Sequence, residues 1–397
     1  MTTPNRLAIK LKPAGERSVK QGHPWVFSDS IDKQNKKGEA GDLVVLFDQR
    51  KNQVFAFGLY DPYSPIRIKI IQLGKSLNLT PLFFQNKFHQ AFTIRQALLS
   101  SDTNAYRLIF GENDGMPGLI VDLYNEVGVV KVYSAIWLPY LEWIFSSLVE
   151  IIQPKALLIR WSRNLQSLEL PYPEGGIVYG ELKNSQVQFK EYGVLFETDV
   201  IQGHKTGFFL DHRENRHKIG KSARDKTVLD VFSYAGGFSV HALTGGAKEV
   251  TSLDISKQAM ELARHNASLN PHSGTHLTIA GEAFEELKKL VQAKKQYDIV
   301  IIDPPSFAKS KKEQNLAQKK YAELAELGAA LTRKGGLLLL ASCSSRITKT
   351  NFLEIHKRCF QQLKIRYKLI EITEHALDHP IGFKEGAYLK SAYYRMG

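Results

Sequence analysis

The sequence predicts an α/β chain whose C-terminal half is a doubly wound, mostly parallel sheet, preceded by a small β-barrel and a small α+β region. Three observations carry that reading. Strand-like and helix-like segments alternate after Tyr192, as in an open parallel sheet covered on both faces. A glycine turn follows one of these strands, in Val228-Leu229-Asp230-Val231-Phe232-Ser233-Tyr234-Ala235-Gly236-Gly237. The first ~70 residues hold only short β-rich runs with turn signals between them. At 397 residues the chain exceeds the ~100–200 that one core usually organises, and domains are expected at 1–72, 73–190 and 191–397.

Taken in order, Asp42–Phe47 and Val54–Tyr60 read as strands, followed by alternating Ile66, Ile68 and Ile70, with a turn at Lys37-Gly38. Phe84, Phe88 and Phe92 recur at helical spacing and predict a helix over Phe83–Leu99. Leu119–Asp122 and Val127–Tyr133 flank a turn at Tyr124-Asn125, a helix is predicted over Leu138–Ile152, and Ala156–Arg160 reads as a strand. In the C-terminal half, Thr227–Val231, Glu249–Asp254, Tyr297–Asp303 and Gly336–Ser342 read as strands, with helices over Gly237–Thr244 and Lys257–Asn270. Chemistry in such a sheet belongs at the carboxyl ends of the strands.

The apolar fraction of 43% is ordinary for a globular protein. A net charge of +13 favours a polyanionic partner, because each neutralised phosphate releases counterions. Charge alone weighs equally for a basic protein that binds no nucleic acid. Two cysteines, Cys343 and Cys359, exclude a disulfide framework, and MTTPNRLAIKLKP lacks the apolar stretch of a secretory signal. The longest uninterrupted apolar runs are short and strand-like, such as Gly336–Ala341, well below the ~20 residues of a membrane span. A soluble, cytoplasmic protein without a membrane partner is therefore expected. His212 and His217, or His375 and His379, have no Cys/His/Glu cluster at ligand spacing beside them, so no metal is expected.

The turn after Asp230 lets backbone approach a ligand closely, with no side chain in the way. Asp254 ends the next strand about twenty residues on, where a carboxylate can accept hydrogen bonds from both ribose hydroxyls. Two glycines fall short of the G-x-G-x-x-G that shapes a pyrophosphate site, so a nucleoside without phosphates fits better than a dinucleotide. The bland alternative is a structural glycine turn. Glu282, in Gly281-Glu282-Ala283-Phe284, can accept from an adenine amino group while Ala283 packs beside the ring; the alternative is a helix-capping acid.

Asp303-Pro304-Pro305-Ser306-Phe307 halts a buried strand, because proline cannot continue a central strand and fixes its own φ. The Asp303 carboxylate is thereby presented rigidly. One strand later, Cys343 stands at the exit of Leu337–Ser342, where a partly exposed thiol can ionise; a lone cysteine beside a buried strand is more often packing. Cytosine carbon 5 supplies a reason for both residues. It is too weakly nucleophilic to take a methyl group directly, so a thiolate first adds to carbon 6, and an acid near ring nitrogen 3 helps that addition. Cys359, in the helical pattern Asn351–Leu363, reads as core.

These strings resemble one family. Asp230–Ser239, Asp303-Pro304-Pro305-Ser306-Phe307 and Ser342-Cys343-Ser344 resemble the RlmI-like class I S-adenosylmethionine-dependent methyltransferases, which act on cytosine carbon 5 of large-subunit (23S) ribosomal RNA. The likeness extends over essentially the whole chain. His23-Pro24-Trp25-Val26-Phe27 and Gly58-Leu59-Tyr60-Asp61-Pro62 look like the family's N-terminal PUA domain, an RNA-binding β-barrel. Gly111–Leu119 resembles its central domain, and His204–Arg213 the block that leads into its catalytic domain.

The resemblance implies a Rossmann-like class I methyltransferase fold, S-adenosylmethionine as cofactor and 23S ribosomal RNA as partner, and leaves a homodimer open. It implies that Thr206, Gly207 and Phe209 border the methyl donor, the alternative being a hinge packed for stability. The cofactor set it implies continues with Asp230, Phe232, Ser233, Tyr234, Gly236, Asp254, Ile255, Glu282, Ala283 and Asp303. Asp254 becomes the ribose acid, Asp303 the base-recognition acid and Cys343 the nucleophile. Glu282 departs from the family's frequent Asp, and Asn113 from a commoner Ala. Competing readings are an enzyme of the same architecture acting on another base, a non-catalytic RNA-binding or ribosome-assembly protein, and a dinucleotide-dependent oxidoreductase.

Overall fold

The structure, a computed structural model, describes residues 5–308 and 311–397. The chain divides into two compact units: Met1–Phe189 with Thr198–Leu210 and Leu377–Gly386, and Lys190–Glu197 with Asp211–Ala376 and Ala387–Gly397.

The first unit opens with β1 (Arg6–Leu11), α1 (Pro13–Lys20), β2 (Trp25–Phe27), β3 (Ile31–Gln34), β4 (Leu43–Phe47), β5 (Val54–Tyr60) and β6 (Ile66–Leu73). These strands form a six-stranded curled sheet in the order β2-β6-β5-β4-β1-β3. Successive side chains on a strand point to opposite faces. Val44, Leu46, Ile68 and Ile70 accordingly fill one core with Leu7 and Ile9, while Leu43, Phe57, Leu59 and Ile71 join a second. Both faces are covered, which explains the nearly unbroken apolar run of β4. The sequence reading missed β1 to β3 and α1; β2 is too short for a periodic signal, and charges interrupt β1 and β3.

That second core is completed by α2 (Pro81–Leu99), β7 (Ala105–Phe110), β8 (Leu119–Tyr124), β9 (Val127–Val132), α3 (Leu141–Ile152), β10 (Ala156–Trp161) and β11 (Ile177–Gly180). The strands run β11-β10-β9-β8-β7, and Asn125 takes a left-handed φ of 56° in the turn between β8 and β9. The helix expected over Leu138–Ile152 starts as a 3-10 turn, Ala135–Tyr140, containing Pro139, and becomes α-helical only at Leu141. Ala135–Ile152 corrects the expectation about apolar length: by length and composition it could cross a membrane. Half of it is buried, and Trp137, Ile144 and Leu148 pack in the core with Phe84. A hairpin of β12 (Gln186–Glu191) and β13 (Val194–Asp199) lies where the chain passes between units.

The second unit contains α4 (Arg213–Ser222), β14 (Thr227–Val231), α5 (Gly237–Thr244), β15 (Glu249–Asp254), α6 (Lys257–Ser268), β16 (Thr275–Ala280), α7 (Ala283–Gln292), β17 (Tyr297–Ile302), α8 (Gln314–Leu331), β18 (Thr332–Ser342), α9 (Lys349–Gln362), β19 (Tyr367–Thr373) and β20 (Lys390–Met396). The sheet order is β16-β15-β14-β17-β18-β20-β19. The pairs from β16 to β18 are parallel, and β18·β20 and β19·β20 are antiparallel. Chain order reverses direction between β14 and β17, the position where open α/β sheets leave a crevice at the strands' carboxyl ends. The expected α/β fold class is therefore observed. The antiparallel pair β19 and β20 had no distinctive pattern, since β19 is mostly exposed and interleaved with charges.

Candidate active site

At the end of β14 the chain turns through Phe232 (φ 63°), Tyr234 (φ 47°) and Gly236 (φ 76°). Non-glycine residues in this region cost about 1–3 kcal/mol each and persist only where their surroundings hold them. Here the neighbouring strand does so: the Ser233 amide donates to Leu253 O at 3.0 Å, and the Tyr234 amide to Asp254 Oδ2 at 3.0 Å. Gly236 is needed twice over, for its φ and because a Cβ would stand 2.9 Å from the Ala263 Cβ. Asp254 Oδ1 accepts the Ser256 amide at 3.0 Å, so each oxygen retains a lone pair for a further donor. Between them Ile255 is 73% exposed, an apolar side chain left uncovered beside a carboxylate.

Asp230 is turned inward instead. Its Oδ2 accepts the Ser239 amide at 3.0 Å and the Ser239 hydroxyl at 2.7 Å, fastening β14 to the start of α5. Burial pushes its carboxyl up to about 7 against these donors, and the charges of Asp303 and Asp254 add to the rise. Glu282 caps α7 by accepting the Glu285 amide at 3.0 Å, the capping role weighed above, while Ala283 is buried beneath it.

Beyond β17, Asp303 projects toward α4, where His212 Nε2 lies 3.3 Å from its Oδ1. Asn215, one turn along, fixes the ring. Its Oδ1 accepts from Thr373 Oγ1 at 2.6 Å and Tyr393 Oη at 2.8 Å, which turns its amide nitrogen to His212 Nδ1 at 3.0 Å. The neutral imidazole therefore carries its proton on Nε2, facing Asp303. Burial disfavours charge on this ring, but the Asp303 carboxylate outweighs it and raises the pKa.

Cys343 follows β18 and is half-buried, with its Sγ 3.6 Å from Pro304 O. Ser342 beside it donates to Tyr321 Oη at 2.9 Å. Lys390, opposite Ser342 in the β18·β20 register, is buried and donates to Ser344 O and, at 2.9 Å, to Tyr388 O. Cys359 packs in the core on α9, its thiol pushed up to about 11 by burial.

The structure thus brings Asp254, Ile255, the 232–236 turn, Asp303 and Cys343 to the carboxyl edge of one sheet. Thr206, Gly207 and Phe209 belong to the first unit. There the Thr206 hydroxyl donates to Asp122 Oδ2 at 2.6 Å, a Cβ on Gly207 would meet Thr198 Cγ2 at 3.0 Å, and Lys205 Nζ sits 4.7 Å from the Phe209 ring centre. Sequence reasoning considered His212 only as a metal ligand and passed over Asn215 and Lys390. The i, i+3 spacing of His212 and Asn215 was the available signal; Lys390 had none.

A sequence family described as S-adenosylmethionine-dependent methyltransferase matches residues 177–385. The chain is also 39% identical to the ribosomal RNA large subunit methyltransferase of Deinococcus radiodurans, covering 98% of each chain. This chain belongs to the S-adenosylmethionine-dependent methyltransferase family. A second family, the PUA-like domain, matches residues 9–73. The methyltransferase is 33% identical to ribosomal RNA large subunit methyltransferase I of Alteromonas mediterranea, over 96% of this chain and 97% of that one. A solved Streptococcus mutans structure described as a candidate SAM-dependent methyltransferase superposes with a TM-score of 0.83 at 22% identity, over 98% of this chain and 99% of that one, and so shares the fold.

The methyltransferase's cofactor is S-adenosylmethionine, and its second unit fits that ligand. Asp254 offers an acceptor to each ribose hydroxyl, exposed Ile255 offers an apolar face to a flat ring, and the turn lacks the triple glycine of a pyrophosphate site.

Proposed function

We propose that the methyltransferase modifies carbon 5 of a cytosine in 23S ribosomal RNA through a covalent bond to Cys343. The relatives named for ribosomal RNA large subunit methylation support the substrate class, and the charge of +13 suits it. The observation that carries the chemistry is the 3.6 Å contact of Cys343 Sγ with Pro304 O, which sets a thiol beside the residue following Asp303.

Bound S-adenosylmethionine supplies an electrophilic methyl group. The Cys343 thiolate forms a bond to carbon 6, the C5=C6 electron pair shifts to C4=C5, the C4=N3 pair moves onto nitrogen 3, and that nitrogen takes a proton from Asp303, which enters this step in its protonated form. Carbon 5 is then nucleophilic and accepts the methyl group. S-adenosylhomocysteine is released, the carbon 5 proton leaves to a base, C5=C6 re-forms as the S–C6 bond breaks, nitrogen 3 returns its proton to Asp303, and the thiolate and the aromatic ring are restored. His212 Nε2 stands 3.3 Å from Asp303 Oδ1, on one side of this carboxyl. The 232–236 turn, Asp254, Ile255, Glu282 and Ala283 hold the cofactor in this reading, and the PUA-like region contributes RNA affinity.

Mass mapping of methylated nucleotides in 23S ribosomal RNA from cells with and without the gene tests this directly. A 5-methylcytidine lost with the gene and restored by the wild type but not by Cys343→Ala is the expected result. Loss of a methyl group from any other base overturns the cytosine assignment, and an unchanged map overturns the substrate.

A further inference from the structure

We propose that Lys390 is the counter-ion that holds Cys343 as a thiolate. Lys390 is 2% exposed, and both acceptors recorded for its ammonium are main-chain carbonyls, of Ser344 and Tyr388. None of the ion pairs among the described residues includes it. A buried ammonium is costly unless an opposite charge stands near it. Of its two acidic neighbours, Glu374 is already paired with Lys349 at 3.1 Å. The other is Cys343.

The placement is built into the sheet. Lys390 opens β20 directly opposite Ser342, the last residue of β18, and its side chain reaches past the strand end to the carbonyl of the residue after Cys343. A shift of one residue in this register would move the lysine to the other face.

Two described groups near the thiol work against its ionisation. Tyr321 interacts with both Cys343 and Asp303, and a neighbouring carboxylate or a half-buried position each disfavours a thiolate. His212 is directed at Asp303 rather than at the sulfur. Among the described residues Lys390 is the cation placed to offset them, and its own pKa is brought down to about 8 by burial against the opposing pull of Cys343 and Glu374. Ionisation is a simple proton loss: the S–H proton goes to solvent and the thiolate stays beside the ammonium.

The role in cytosine chemistry rests on the reading above, whereas the ion pair itself is measurable without RNA. The experiment is the pH dependence of iodoacetamide alkylation of Cys343 in the full chain, with Cys359→Ser removing the second thiol. The expected midpoint lies below ~8.5, the ordinary thiol value. In Lys390→Met, where exchange of a buried charge for an apolar chain of similar length is commonly tolerated, the midpoint rises by about 1–2 pH units, and Lys390→Arg restores part of the shift. S-adenosylmethionine binding verifies that each variant is folded. An unchanged midpoint in folded Lys390→Met overturns the proposal. Should that variant fail to fold, a wild-type midpoint at or above ~8.5 overturns it and a lower one supports it. A depressed midpoint in a protein that leaves cytosine unmethylated would sink the cytosine reading and leave the ion pair standing.

Discussion

The sulfur of Cys343 and the main-chain oxygen of Pro304 stand 3.6 Å apart although 39 residues separate them in the chain. The contact joins the exits of β17 and β18, adjacent parallel strands paired Ile302 to Leu340. Cys343→Ala should lower methyl transfer by about 10³-fold or more, the scale on which a removed nucleophile acts. S-adenosylmethionine affinity in the same variant should stay within about twofold, because no cofactor-holding residue is altered. Single-turnover transfer together with calorimetric binding separates the two. Full transfer without the thiol would remove the covalent route.

Much of this site was legible because its chemistry sits at strand ends. Asp303 and Cys343 each follow an apolar run of β length, Asp254 ends a mixed strand, and the wound topology carries such ends to one edge regardless of loop detail. What escaped was held by tertiary context. Lys390 lies on an antiparallel strand with no local signature, and His212 and Asn215 are joined to Thr373 and Tyr393 only by the folded sheet. Asp230 was expected from its place in the motif to contact a ligand; Ser239 takes up its Oδ2, and its buried Oδ1 has no hydrogen-bond partner among the described residues. In the first unit, the short charged strands β1 and β3 gave periodicity too little length to act on.

Asp254 accepts the Tyr234 and Ser256 amides and keeps a lone pair on each oxygen for a ligand. Asp254→Ala should weaken S-adenosylmethionine binding about 10–100-fold, the equivalent of losing roughly 1.5–3 kcal/mol of charged hydrogen bonding. Isothermal titration calorimetry measures it; undiminished affinity would place the ribose elsewhere.

His356 on α9 is buried, its Nδ1 2.9 Å from Tyr394 Oη, and burial drops its pKa to about 3. The unfolded chain binds this proton near the ordinary histidine value of ~6.5, the native state only near 3. The unfolded form therefore gains protons over that interval, and native stability is full above ~6.5 and falls as pH drops toward 3. His356→Gln should show a flatter loss of stability between about pH 6.5 and 4, read from urea midpoints across pH. An identical slope would mean that another group carries the acid sensitivity.

Arg95 is fully buried and pairs with both oxygens of Asp114, at 2.9 and 2.7 Å. Arg95→Met strands that carboxylate and should cost about 3–5 kcal/mol, whereas adding Asp114→Leu should recover much of it, as apolar replacements of whole buried pairs do. Thermal unfolding of the single and double variants decides; additive losses would show the two residues to be uncoupled.

Arg95 also donates to the carbonyl of Asp378, and the Arg107 amide to the carboxylate of the same residue, across 283 and 271 positions of chain. During synthesis those donors emerge long before their acceptors exist. These two hydrogen bonds of the first unit close only after Asp378 has been added, so the sites on Arg95 and Arg107 stay with water until then.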